Sequence, residues 1–288
     1  MAGLSINEMT TLRWSFEEDV RHFAEAEVRA IGVWREKLSD YGEDRGVELL
    51  AEHRMAVSSL LWAGGFTGSD GRSHAESIAD GQEAIRLAAA LRADCLVVHS
   101  GARGLHTQSH ARRLLRDALD ALLPTAIDLG VVLALEPMHP GGDSGWTFLT
   151  SFDDALELVA AYASPFVKLV FDSYAWGHDL HLIAQLPAFV DRLALVQLGD
   201  RRAEPQLESN RCPLGEGILP LGELVGQLRR AGYSGHFELE LLGEEMELAD
   251  YQELIRQSKR EFEQWCSAPL AAPHFASTPV FASPEQLP

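Results

Sequence analysis

Short apolar runs alternate with longer amphipathic stretches along this chain. Eight of the runs have the length of buried strands: Leu4–Asn7, Ala30–Trp34, Met55–Leu60, Asp94–His99, Val131–Glu136, Val167–Asp172, Leu193–Leu198 and Gly235–Leu241. Between them, Glu76–Leu91, Arg112–Leu129, Phe152–Ala163 and Leu221–Ala231 carry apolar residues at helical spacing. Ser15 with Glu18, and Ser73 with Glu76, have the spacing of capping boxes at helix starts. Gly130 and Gly232 stand where a helix would end before the next strand. Eight strand–helix units predict an α/β protein, a (β/α)8 barrel. The doubly wound alternative needs a glycine-rich turn after its first strand. Here Leu4–Asn7 runs into Glu8-Met9-Thr10, which cannot cradle a pyrophosphate in that way. The pattern stops near Ser267. Residues 1–266 are expected to form one barrel domain. Residues 267–288, rich in Pro, Ala and Ser, are expected to be a tail that is either disordered or docked through its two phenylalanines.

Composition narrows the possible partners. The 288 residues include 24 basic and 43 acidic side chains, a net charge of −19. Nucleic-acid binding leans on lysine and arginine contacts to phosphate, so a nucleic-acid partner is not expected. Three cysteines, Cys95, Cys212 and Cys266, show no CxxC spacing and read as free thiols in a reducing compartment. No signal-peptide pattern and no apolar run of membrane-spanning length is present. The expectation is a cytoplasmic protein without a membrane partner.

The candidate chemistry lies at the strand ends. In LALEPMHP the apolar residues Val132–Leu135 lead into Glu136, which is followed by Pro137. A carboxylate there cannot face the core unpaired, because burying an isolated charge is costly. Asp172 ends VKLVFD, Glu240 lies near the end of GHFELELLG, and LALVQLGD puts the amide of Gln197 in the equivalent place. One such acid alone would be read as a helix cap or an arginine partner. Three acids and an amide at the carboxyl ends of four barrel strands, the face where barrel active sites form, make a site. Oxygen ligands alone suit Mn²⁺ or Mg²⁺, with Co²⁺ also possible. Glu238 shares a strand face with Glu240, but Glu240 is nearer the carboxyl end and is the chosen ligand. Glu238 is read as its partner or as the neutraliser of a base.

Further residues could touch a substrate. His99 ends the strand of LVVHSG and reads as a substrate contact, a second metal ligand or a structural histidine. His139, just beyond Glu136, is a substrate-contact candidate. Trp62 and Phe66 either wall a pocket or pack in the core. His106 and His110 have i, i+4 spacing without the glutamate of HExxH, which argues against a zinc-protease helix. Gly101–Gly104 reads as a turn, and Ser100 lacks the GxSxG elbow of a nucleophilic serine.

LALEPMHP, LVFDSYAWGHD, LVQLGDRR, the LGEG at Leu214–Gly217 and GHFELELLG together resemble the sugar phosphate isomerase/epimerase family, the xylose isomerase-like TIM barrels. The resemblance spans roughly Leu4 to Cys266. That family includes hydroxypyruvate isomerase, ketose 3-epimerases, inosose dehydratase and AP endonucleases. It implies a divalent cation, Mn²⁺ above all, on Glu136, Asp172, Gln197 and Glu240, with Gln197 in the manner of hydroxypyruvate isomerase. It implies that Glu136 and Glu240 act as acid and base on either side of a sugar or small hydroxy-carbonyl compound, through a metal-stabilised enediolate. The arginine following that strand in the family maps to Arg202, with Arg211 the second candidate. One departure stands out. The family commonly reads D-x-x-H, but here Asp172 is followed by Ser173, Tyr174 and Ala175. His178, three residues on, is the candidate replacement. The expectation is thus a metal-dependent isomerase or epimerase and a homo-oligomer. The alternatives are a lyase or dehydratase on the same scaffold, or a non-catalytic sugar-binding barrel.

Overall fold

The computed structural model describes residues 3–141, 145–205 and 210–267. The barrel strands are β1 (Leu4–Asn7), β2 (Ala30–Trp34), β3 (Ala56–Gly64), β4 (Leu96–His99), β5 (Leu133–Leu135), β6 (Val167–Asp172), β7 (Leu193–Leu198) and β10 (Phe237–Leu239). They close in the order β1-β10-β7-β6-β5-β4-β3-β2, every pair parallel. Two two-residue strands, β8 (Asp200–Arg201) and β9 (Arg211–Cys212), form a separate antiparallel ribbon beyond β7.

All eight expected strands are present, four with the expected bounds and four with shifted ends. β3 runs on to Gly64 because Leu61–Gly64 keeps pairing with its neighbours. β5 stops at Leu135, two residues before Pro137, which has no N–H to give a ladder. Both capping boxes form, at Ser15/Glu18 and Ser73/Glu76. The helix Gln108–Leu129 starts four residues ahead of its apolar pattern because the Thr107 hydroxyl accepts from His110 N at 3.3 Å. The last helix extends to Ser267, and the expected tail beyond it, 268–288, lies outside the described residues. Among the described residues no helix is long and apolar enough to cross a membrane.

The barrel has two apolar regions, and period-two alternation along the strands separates them. The larger lies between strands and helices and includes Ile6, Val33, Leu60, Val98, Leu135, Phe171, Val196 and Leu239. The smaller fills the barrel interior: Leu61, Cys95, Val97, Ala134, Val170 and Leu195, each at most 3% exposed. Two residues further along their strands, Val97, Ala134, Val170 and Leu195 are succeeded by His99, Glu136, Asp172 and Gln197. The polar layer is thus the next storey of the same inward-facing column.

Candidate active site

Glu136, Asp172 and Glu240 converge. One carboxylate oxygen from each lies within 4.8 Å of the others, and all three side chains are buried. Gln197 joins them through its Nε2, which donates to Glu240 Oε1 at 3.2 Å, while its Oε1 is buried without a hydrogen-bond partner. Arg211, from β9, reaches in from the side. Its Nη2 lies 3.1 Å from Asp172 Oδ2 and 3.0 Å from Glu240 Oε2, and its Nη1 donates to Glu240 O at 2.9 Å. The guanidinium also lies over the Tyr174 ring, 4.5 Å from its centre. His99 Nε2 is 2.9 Å from Glu136 Oε2, and its Nδ1 is buried without a partner.

One storey below, Glu238 is fully buried and carries no cation. Ser58 Oγ and Ser59 Oγ donate to its Oε2 at 2.6 and 2.7 Å, and Asn7 Nδ2 donates to its Oε1 at 2.9 Å. The same Asn7 nitrogen donates to Glu240 Oε1 at 3.1 Å and so ties the two glutamates together. The space for Glu238 comes from Gly32, where an added Cβ would stand 2.6 Å from its Oε2. Burial pushes the Glu238 carboxyl up, against the pull of its hydroxyl and amide donors. Burial likewise lifts Glu240 well above the usual carboxylate range and raises Asp172. Arg211 opposes both shifts, and the Glu136 charge adds to them.

This donor set fits a hard divalent cation. Three carboxylates face one guanidinium, so acidic groups outnumber basic ones here, and the orphaned Gln197 Oε1 adds a buried acceptor beside them. Above the cluster opens a cavity of about 820 Å³, counting its open mouth. Met9, Leu61, Trp62, Met138, Trp146 and Leu242 wall it, with Ala175 and Tyr174 beside Asp172.

The other expected contacts divide. Trp62, His99 and His139 line the cavity. His139 Nδ1 accepts from Gly141 N at 3.0 Å, and burial, then the Arg201 charge, lowers its pKa. His178 is not among the lining residues; its Nδ1 is taken by Arg201 Nη2 at 2.8 Å. Arg202 does not line the cavity either. It is exposed and pairs with Glu216 at 2.9 Å and Glu245 at 2.6 Å. The arginine that the fold brings in is Arg211, because β8 and β9 pair antiparallel with Arg211 opposite Arg201. Ala175 lines the cavity with a methyl group where the resemblance led to the expectation of a histidine. Phe66 is fully buried in the outer core. The LGEG segment has a structural duty. Asp200 accepts from Gly215 N, Gly217 N and Leu219 N, and a Cβ at Gly217 would meet Asp200 Oδ1 at 2.0 Å. Sequence reading did not single out Asn7 or Trp146. Asn7 carried the signal already used elsewhere, a polar residue at a strand's carboxyl end.

Fold and site define a parallel barrel with an acidic cluster at the carboxyl ends of its strands. The sequence matches the xylose isomerase-like TIM barrels over residues 20–263, and the chain belongs to that family. A protein from Sinorhizobium meliloti 1021 superimposes with a TM-score of 0.84 at 25% identity, over 92% of this chain and 99% of the other. The IolI protein, solved with a bound zinc atom, gives 0.80 at 21% identity, over 92% and 98%. The 3-keto-D-glucoside 4-epimerase YcjR from E. coli gives 0.75 at 16% identity, over 92% and 100%. No protein of curated function matches this chain in sequence.

Proposed function

We propose that this protein is a divalent-metal-dependent isomerase or epimerase of a small hydroxy-carbonyl compound. The observation that carries the reading is the convergence of Glu136, Asp172 and Glu240 within 4.8 Å at the catalytic face of a barrel of this family. The epimerase and the zinc-bound protein among the similar structures support it. Glu136, Asp172, Gln197 and Glu240 would hold the cation, Mn²⁺ foremost. When bound, it supplies electrophilic polarisation of the substrate carbonyl.

The chain's own groups handle the proton. Glu136 and Glu240 each stand one residue beyond the carboxyl end of a strand, β5 and β10, and are assigned as base and acid. His99 steadies Glu136 through the 2.9 Å contact, and Asn7 and Gln197 hold Glu240 Oε1. Burial, by raising the Glu240 pKa, favours a proton on that carboxyl when no cation is near. Arg211 fixes Asp172 and the other Glu240 oxygen. The net charge of −19 supports a small-molecule substrate rather than a polyanion.

The test is deuterium uptake from D₂O into candidate hydroxy-ketones by the Mn²⁺-loaded protein. Exchange in the wild type and its loss in Glu240→Gln, with Mn²⁺ still bound, is expected. Glu240→Gln exchanging at the wild-type rate would remove that residue from the proton path. Ala175 supports a second reading, a sugar-binding barrel without catalysis. Tight binding of ketoses with no exchange in any would favour it.

A further inference from the structure

The polar groups of the cavity are concentrated at its buried end. Glu136, Asp172, Arg211, Glu240 and His99 are each at most 7% exposed. Toward the mouth the more exposed described walls are mostly apolar: Met9, Trp62, Met138, Trp146 and Leu242. Trp146 is 44% exposed, a large ring presented beside the site rather than packed away. Trp62 stacks on His99 with ring centres 5.4 Å apart, and Trp146 meets Trp62 edge-on at 4.7 Å. Three rings therefore form one aromatic corner directly over Glu136.

Two of the polar side chains among these walls have one polar atom engaged, while His139 keeps its other ring nitrogen and Trp62 and Trp146 their indole N–H groups. The Tyr174 hydroxyl donates to Asn210 Oδ1, and His139 Nδ1 accepts from Gly141 N. Ala175 presents only a methyl group. A free polyol seated here would press several hydroxyls against the aliphatic and aromatic surface that dominates the described walls, where partners for them are few. A ligand with two adjacent oxygens at one end and a flat apolar body matches both halves of the cavity.

We propose that the substrate is a hydroxy-ketone bearing an aromatic ring, with its oxygens at Glu136, Asp172 and Glu240 and its ring in the Trp62–Trp146 corner. This rests on the hydroxy-carbonyl reading above and narrows it to one substrate class.

Calorimetric titration of the Mn²⁺-loaded protein with 2-hydroxyacetophenone, dihydroxyacetone and D-fructose tests it. 2-Hydroxyacetophenone is expected to bind about tenfold tighter than the other two, the scale of a buried aromatic contact. Trp146→Ala, whose ring is too exposed to hold the fold together, should weaken 2-hydroxyacetophenone about fivefold and leave dihydroxyacetone within about twofold. Trp62→Ala should act in the same sense and more strongly, with an unchanged melting temperature certifying its fold. Equal affinity for the three probes, tighter D-fructose, no 2-hydroxyacetophenone binding at millimolar concentration, or a Trp146→Ala loss equal for both smaller probes overturns the proposal. Deuterium exchange at the carbinol carbon of each bound probe separates the two readings. Selective 2-hydroxyacetophenone binding without exchange supports the substrate class while sinking the isomerase. Exchange of tightly bound D-fructose does the reverse.

Discussion

Two buried acidic clusters lie within this barrel, and they balance their charge differently. One is the strand-end cluster of Glu136, Asp172 and Glu240 with Arg211. The other lies beside β2, where Lys37 Nζ meets Asp19 Oδ2 at 2.7 Å and also donates to Glu8 O and Thr11 O. Thr11 Oγ1 donates to Asp19 Oδ1 at 2.6 Å, and Trp34 N donates to Glu8 Oε2 at 2.7 Å. Burial, reinforced by Asp19, drives the Glu8 carboxyl well above its usual range. Asp19, pushed up to about 6 by burial against the pull of Lys37, is the carboxylate that Lys37 meets directly. In that cluster Lys37 Nζ has three acceptors and meets one carboxylate directly, with Glu8 Oε1 left without a hydrogen-bond partner. In the strand-end cluster one guanidinium faces three carboxylates. A buried cation matched to one carboxylate ties the fold together, whereas an excess of buried carboxylates over cations at strand ends marks a candidate ligand site.

The largest effect that separates the two clusters should come from Arg211→Met. Without the cation it leaves three carboxylates buried together, and stability at neutral pH should drop by about 3–5 kcal/mol. Mn²⁺ should restore much of that loss, as read from urea unfolding with and without the ion. A loss indifferent to Mn²⁺ would make the two clusters alike. Lys37→Met should cost a comparable or slightly smaller amount, about 3 kcal/mol, with no recovery by Mn²⁺.

Wild-type protein at an Mn²⁺ concentration 100-fold above its dissociation constant should gain about 2.7 kcal/mol. Glu240→Ala should gain almost none in the same titration. The smallest effect is on pH dependence. Asp19 binds its proton more tightly folded, at about 6, than its ordinary value of 3.8. The folded state therefore carries more protons between those values, and stability from this site falls as pH rises from about 4 to about 6, then levels. Asp19→Asn should flatten that part of the urea-midpoint profile. An unchanged profile would assign the slope to other groups.

The same contrast explains what sequence could reveal. The eight strands were legible because each is a short apolar run between amphipathic helices. Glu136, Asp172, Gln197 and Glu240 stood out because period-two alternation makes an acid or amide at a strand end conspicuous. Arg211 was harder to choose, for its place depends on a two-residue ribbon with no periodic signal, and Arg202 is nearer β7 in sequence. Trp146 lies in irregular chain beyond β5, where only the folded cavity gives it meaning. The Glu8–Asp19–Lys37 cluster joins a 3-10 turn, a helix and the helix after β2, a conjunction no single element announces.

The plug of Leu61, Cys95, Val97, Ala134, Val170 and Leu195 closes the barrel beneath the cavity. Nothing of ligand size passes through it, so whatever enters at the carboxyl-end face must leave by the way it came. Arrival and departure share one doorway. Occupancy by a spent molecule then bars the next, so product should compete directly with substrate, and turnover can proceed no faster than the doorway clears.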